Sequence, residues 1–530
     1  MCCAVVSHDE QMTAEGYRLV GGTVLDGTGR SSRQETVAIH DGRLIPPARL
    51  DVRAATFDVS GCVVMPGLVD AHANQTWGPL AEPSCALMVR QGVTAAVTGN
   101  CGGSLFPVLG AAGEWIRRIC ADHSLPVSWK DLAGYAEALS QTGIDLFPLV
   151  GHAMLRASVV GFASRPLHAD ELRQLIDLIE AQFTDGAWGV SFGLGYPPGA
   201  FADRDELLEV CRAAARADRP ACFHIRLESA DVVDSVAEVC DLAARTGVDA
   251  VICHHKVLGR RHWGKTVETL PLVERAWEQG ARVFLDVYPF TEAVRNLASL
   301  LPDEAHEGGR DELVRRLEDP AKRGWLRDAL ARNVRGWDAD WRRTNISEAP
   351  GAPGLVGRNA AEVVNEAGLD GLLDALAASK GRVMTVYDGA SWDDIERVVA
   401  FPYTMIGSDG DVQTSRERGH PRSSRTFPTF FEEIVTKRRI LTWEEAARRV
   451  TSLPASVFRL PDRHVLAEGE LANICVVADE SPDWMLASEV WPRHLFRRGE
   501  GVVLEGKPCD VLSAHLQRRT WETPGTVALS

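Results

Sequence analysis

Five short segments of this chain each set a metal-ligand type of residue, or a carboxylate, just past an apolar run that reads as a strand. They are Val63-Val64-Met65-Pro66-Gly67-Leu68-Val69-Asp70-Ala71-His72-Ala73-Asn74, Ala95-Ala96-Val97-Thr98-Gly99-Asn100-Cys101, Ala221-Cys222-Phe223-His224, Val251-Ile252-Cys253-His254-His255-Lys256 and Met405-Ile406-Gly407-Ser408-Asp409. A lone histidine at a strand end is more often a hydrogen-bonded structural residue, and a lone cysteine in an apolar context is usually core. The set carries the weight. Ligands gathered from the carboxyl ends of several strands are how a (β/α)8 barrel builds an active site. One Cys, several His and one Asp suit a zinc hydrolase: the metal keeps an open position for water, and a carboxylate in reach moves the proton. Side chains alternate faces along a strand, so His254 and His255 cannot both point inward from a regular one.

The elements that must position these residues follow from the rest of the chain. At 530 residues it can bury a large core and accommodate a barrel plus a smaller domain. Apolar content of 45% and charged content of 25% are those of a globular protein. A formal charge of −16 argues against nucleic acid or an anionic membrane as partner, and a small molecule is expected instead. No run of about 18 apolar residues suggests a membrane span. The start of the chain does not read as a secretory signal, and the 12 scattered cysteines fit a reducing cytoplasm.

Residues 1–14 read as a loose tail. Short β-like runs with Asp-Gly turns occupy 15–62, and the same texture returns in 461–530, so both ends are expected to build one small β-sandwich domain. Between them, 63–460 alternates apolar runs with amphipathic helices such as Asp205–Ala217, Ser229–Thr246 and Thr266–Gln279, the pattern of a distorted (β/α)8, TIM-like barrel. About nine strand candidates compete for the eight places of a closed barrel, with Arg382–Tyr387 as the supernumerary one. The charged stretch from about 303 to 380 reads as an inserted helical subdomain or a long lid.

The chain resembles the N-acyl-D-amino-acid deacylases (D-aminoacylases) of the amidohydrolase superfamily over roughly residues 17–510. The resemblance rests on Val24-Leu25-Asp26-Gly27-Thr28-Gly29, Met65-Pro66-Gly67-Leu68-Val69-Asp70-Ala71-His72, Gly99-Asn100-Cys101-Gly102, Gly151-His152, and Gly195-Tyr196-Pro197-Pro198-Gly199. It continues in His224-Ile225-Arg226-Leu227-Glu228, His254-His255-Lys256, Asp286-Val287-Tyr288-Pro289-Phe290, Gly407-Ser408-Asp409-Gly410 and His420-Pro421-Arg422. It implies that Cys101, His224 and His254 hold the catalytic zinc, with Asp409 as general base; with three strong ligands for one site and Asn74 in place of an imidazole at a second, about one zinc per chain is expected. It also implies that Lys256, Tyr288 and Arg422 grip the substrate carboxylate, with Tyr196 and Arg226 as further pocket residues. Arg422 has Arg416, Arg418 and Arg425 nearby, which equally suits a solvated loop.

One departure matters. Where the family's first strand ends in His-x-His, this chain has His72-Ala73-Asn74. Asn is a poor zinc ligand, so a second metal position is in doubt, and His72 is left as a partial ligand or a donor to substrate. The expected activity is zinc-dependent cleavage of an N-acyl amide of a D-amino acid or an amino-acid-like molecule. A relative that has moved to another amide, cyclic amide or peptide-like metabolite is a second reading. A metal-poor, non-catalytic binding or scaffold protein is a third, against which Cys101, His224, His254 and Asp409 together argue. Oligomeric state is not legible in the sequence.

Overall fold

The computed structural model describes residues 16–509, apart from 52, 75, 140–141, 334–339, 411–419 and 479–489. The expected tail at 1–14 and Arg416 and Arg418 therefore lie outside the described residues. Eight parallel strand positions succeed one another in chain order. They are Leu68–Ala73, Val93–Thr98, Asp145–Pro148 continued as Val150–Gly151, Val190–Gly193, Ala221–His224, Ala250–Ile252, Val283–Val287 and Thr404–Ile406. Each pairs in parallel with the next, the third through its two halves. A parallel bridge from Ala73 to Gly410 sets the chain after the eighth strand against the first.

Helices return the chain between strands, and their ends obey local chemistry. Helix Arg204–Arg216 starts where the Asp203 carboxylate accepts the Glu206 N–H, and helix Val232–Thr246 stops at Gly247 in the left-handed region, φ 72°. In the fifth to seventh strands, alternate residues fall into two cores. Ala221, Phe223, Ala250, Ile252, Val283 and Leu285 pack toward the helices. Cys222, Val251 and Phe284 share a second cluster with Phe147, Met405 and Phe458. The period of two carries this inner parity on to His224 and Asp286 at the strand ends.

The run at 382–387 belongs elsewhere. As Met384–Asp388 it pairs antiparallel with Glu292–Asn296 and Thr344–Glu348 in a separate three-stranded sheet. Helices Arg310–Glu318, Pro320–Arg332 and Ala360–Ala378 lie in the same stretch of chain. The insertion is thus mixed rather than helical. Its other two strands, Glu292–Asn296 and Thr344–Glu348, are short and half polar, and so gave no strand signal. Ile474–Ala478 pairs antiparallel with Cys62–Pro66, joining segments from the two ends of the chain in one seven-stranded sheet. A four-stranded sheet from residues 16–58 shares a hydrophobic core with it, formed by Leu19, Ile39, Phe57, Val64, Val476 and Phe496.

Candidate active site

The strand ends converge through backbone conformations that the chain would not adopt unaided. Cys101 (φ 55°), His254 (φ 35°) and Asp409 (φ 50°) all lie in the left-handed region, which costs a non-glycine residue roughly 1–3 kcal/mol. Buried contacts hold them there. Asp70 accepts hydrogen bonds from Ser408 N (2.8 Å), Ser408 Oγ (2.5 Å) and His72 N (3.1 Å), tying the first strand to the turn that carries Asp409. Asp409 N donates to the His72 carbonyl at 2.7 Å. A Cβ on Gly102 would stand 2.6 Å from Gly193 N, so only glycine lets the Cys101 loop sit this close to the fourth strand.

Four of the expected residues meet closely. One ligand atom each from His72, Cys101, His254 and Asp409 lie within 4.8 Å of one another. Cys101 Sγ is 3.4 Å from His254 Nε2 and 3.5 Å from His72 Nε2, and His224 Nδ1 is 2.9 Å from His254 Nε2. Donors bound tetrahedrally to zinc at its usual bond lengths lie roughly 3.4–3.6 Å apart, so the Cys101 pairs fit and the His224 pair is slightly tighter. Burial would raise the Cys101 thiol, but His72 and His254, with hydrogen bonds from His224 and His254, carry it well below the ordinary thiol range. A thiolate is the form that binds zinc.

The imidazoles are oriented from behind. His72 Nδ1 donates to Asp286 Oδ2 at 3.2 Å and His254 Nδ1 to Glu228 Oε1 at 2.9 Å, leaving each Nε2 lone pair toward Cys101. Carboxylates in this position fix the tautomer and raise the basicity of a ligating histidine. His255 turns away, with Nε2 2.9 Å from Thr269 Oγ1; the strand has ended at Ile252, and the left-handed turn at His254 reverses the alternation that would otherwise put His255 on the inner side.

Comparison with known proteins bears on the chemistry of this cluster. Residues 55–490 match the family model described as Amidohydrolase family. A D-aminoacylase from Alcaligenes xylosoxydans xylosoxydans is 31% identical over 465 residues, covering 86% of this chain and 87% of that one. The crystal structure of N-acyl-D-glutamate deacylase from Bordetella bronchiseptica, complexed with zinc and a phosphonate inhibitor, superposes with a TM-score of 0.75. Its identity is 28%, covering 93% of this chain and 98% of that one. The chain belongs to the D-aminoacylase family of amidohydrolases. It is a metal-dependent hydrolase of carbon–nitrogen bonds other than peptide bonds. A further D-aminoacylase, described by one-metal activation and second-metal attenuation of its binuclear metal center, matches with a TM-score of 0.75 at 27% identity, covering 93% of this chain and 98% of that one.

In this amidohydrolase a cavity of about 560 Å³ opens over the cluster. Cys101, His224, His254 and Asp409 reach it, and so do Lys256, Tyr288, Arg422 and Tyr196. Arg422 Nη1 pairs with Asp409 Oδ2 at 2.5 Å. Burial would raise the Asp409 carboxyl, but Arg422, with His254, His72 and Lys256, holds it at about 2. Lys256 Nζ is 2.9 Å from Glu228 Oε1. Lys256 and Arg422 both lie over the Tyr288 ring, at 5.3 and 5.2 Å. The Tyr288 hydroxyl is buried with no hydrogen-bond partner among the described residues. Tyr196 Oη donates to the Cys101 carbonyl at 2.8 Å, so it braces the ligand loop as well as lining the cavity.

Arg226 is not brought in. Its guanidinium pairs with Glu238 at 2.9 Å and donates to the Ala202 carbonyl at 2.9 Å, outside the cavity lining. Three residues with no role assigned from sequence belong to the site instead. Asp286 and Glu228 are the buried carboxylates behind the imidazoles, and their signal was a charged residue placed in or just after an apolar strand. Asn74 donates from its side chain to Asp409 Oδ1, and its N–H donates to the Gly410 carbonyl at 3.1 Å. Asn74, two residues after His72, thus holds the carboxylate.

Proposed function

We propose that this enzyme hydrolyses the N-acyl amide of a D-amino acid, or of a closely amino-acid-like small molecule, with one zinc per chain on Cys101, His224 and His254. The observation that carries the reading is Asp409, paired with Arg422, in one cavity with Cys101, His224 and His254 in mutual contact and with the buried Lys256. Bound there, zinc supplies Lewis-acid activation of water and of the amide carbonyl. Asp409, oriented by Asn74 and Arg422, accepts the proton of the attacking water and returns it to the leaving nitrogen. The Tyr288 hydroxyl, Lys256 and the remaining donors of Arg422 hold the α-carboxylate, a group that charge-assisted hydrogen bonds grip well. His72 is a partial ligand or a donor to substrate. With Asn74 engaged by Asp409, the second metal position has lost one imidazole, which supports a single tight zinc.

The same reading takes the eight parallel positions as a closed, distorted barrel over 63–460, and the terminal sheets as a small β-sandwich from 15–62 and 461–530. It places the enzyme in the cytoplasm, where the free thiols among the described residues suit a reducing compartment. No helix among the described residues is long and apolar enough to cross a membrane. Two measurements test the proposal. Elemental analysis after dialysis should find about one zinc per chain, from the three-ligand arrangement; two retained zincs, or none, overturn the count. A screen of N-acyl D- and L-amino acids should show turnover of the D series. Turnover confined to L substrates, or none in either series, overturns the substrate.

A further inference from the structure

The cavity has two unlike ends. Around the ring of strand ends, Lys256, Tyr288, Asp409 and Arg422 follow the sixth, seventh and eighth strands. The lining that follows the first, second and third strands includes an apolar group beside the polar Asn74, Thr76, Asn100 and Cys101; in the strand order the second and third positions stand opposite the sixth and seventh, while the first adjoins the eighth. Trp77 comes after the first strand, Trp115 and Ile119 lie on helix Gly110–Asp122 after the second, and Phe162 follows helix His152–Val160 after the third. All four are only half-buried, and all line the cavity. Leu313 and Met384 of the insertion line the same cavity. The Trp77 ring is held flat against His123, centroids 3.5 Å apart.

Arg310 and Arg382, which also line the cavity, are matched by a carboxylate. Asp122 takes Arg382 at 3.0 Å and Arg310 at 3.4 Å, and Arg118 pairs with Asp311 at 2.8 Å. These pairs also latch the insertion to helix Gly110–Asp122, so the compartment stands preformed. A volume of about 560 Å³ lies in the range of sites that take drug-sized ligands, and is far more than an acetyl group needs.

We propose that the compartment of Trp77, Trp115, Ile119 and Phe162 receives a long or aryl N-acyl group, so that the enzyme acts on amino acids acylated by medium-chain or aromatic acids. The inference rests on the deacylase reading above and deepens it. Its direction follows from the substrate's connectivity. In an N-acyl amino acid the side chain branches from the carbon that bears the carboxylate. The acyl group lies on the other side of the scissile carbonyl. With the carboxylate held by Lys256 and Tyr288 after the sixth and seventh strands and the carbonyl over the cluster, the acyl group points to the side chains that follow the second and third, Trp115, Ile119 and Phe162, with Trp77 beside them.

The test is kcat/KM for N-acetyl-, N-butanoyl-, N-hexanoyl- and N-octanoyl-D-alanine, beside N-acetyl-D-leucine and N-acetyl-D-phenylalanine. The acyl series should climb by about fourfold per buried methylene until the compartment fills. Trp115→Ala and Phe162→Ala should lower the octanoyl-to-acetyl ratio by about tenfold. A flat acyl series, or a climb along the side-chain series alone, overturns the assignment. Calorimetric binding of the same compounds to the Asp409→Asn protein separates this inference from the reaction beneath it. Tighter binding of long acyl chains sustains the compartment even if no substrate is turned over, whereas equal binding across the series overturns it even if all are hydrolysed.

Discussion

The two ends of the cavity are built to different tolerances. At the strand-end side, Cys101, His254 and Asp409 occupy left-handed backbone, and Asp70, Asp286 and Glu228 stand fully buried behind the ligands. The carboxylates and imidazoles there are cross-linked by buried hydrogen bonds, so moving one group unseats another. At the insertion side the latch is a set of partly exposed ion pairs around Asp122, and the lining is half-buried apolar rings. A metal site demands ligand placement to within a few tenths of an ångström, which only an over-determined, dry surround provides. A compartment that excludes water and fits a flexible apolar group does not need that precision. Substitutions on the first side should therefore act through chemistry and metal, and those on the second through shape.

The largest effect should come from Asp409→Asn. The fold and the zinc should persist while kcat falls by about 10²-fold or more, the scale of general acid–base catalysis, in steady-state assays of the zinc-loaded protein. A change of only a few-fold would hand the proton to another group. Next comes Glu228→Gln, which removes the carboxylate partner of both His254 and Lys256. Zinc affinity measured by chelator competition should weaken by roughly 10–100-fold, the range for residues that orient a ligand. An unchanged zinc affinity would make Glu228 a partner of Lys256 alone.

Tyr288→Phe sharpens the comparison within the polar end. Losing one neutral hydrogen bond of ~0.5–1.5 kcal/mol should raise KM by about two- to tenfold for carboxylate substrates. The corresponding carboxamides should change less; equal changes would place the hydroxyl away from the carboxylate. The smallest effect is expected for Asp122→Asn. Partly exposed ion pairs contribute ~0.2–1 kcal/mol, so KM for long acyl substrates should shift by less than about fivefold. A larger shift would mean that the latch, rather than the rings beneath it, shapes the compartment.

Much of this was legible in the chain. The five strand-plus-ligand segments appear in the structure as strand ends that meet, because alternation and β-propensity act locally. Helices Arg204–Arg216, Val232–Thr246 and Thr266–Glu278 start or stop within a few residues of the spans their amphipathic pattern predicts. The insertion was harder to read, since its strands find partners far apart in sequence: Glu292–Asn296 pairs with Met384–Asp388. Arg226 shows the converse error. A motif residue beside a ligand looked like a pocket residue, yet Glu238, twelve positions on, holds it elsewhere.

The sequence by itself determined the kinds of donor, their order along the chain and the strand ends that carry them, because these depend on residue type and a period of two. Only the tertiary structure decided which groups face one another. It set Asp286 behind His72, 214 positions apart, and Asn74 against Asp409, 335 positions apart. It also gathered the apolar rings that follow the first three strands and the cations that follow the last three into one cavity. Those pairings depend on how distant strands close together, and no local pattern in the chain encodes that distance.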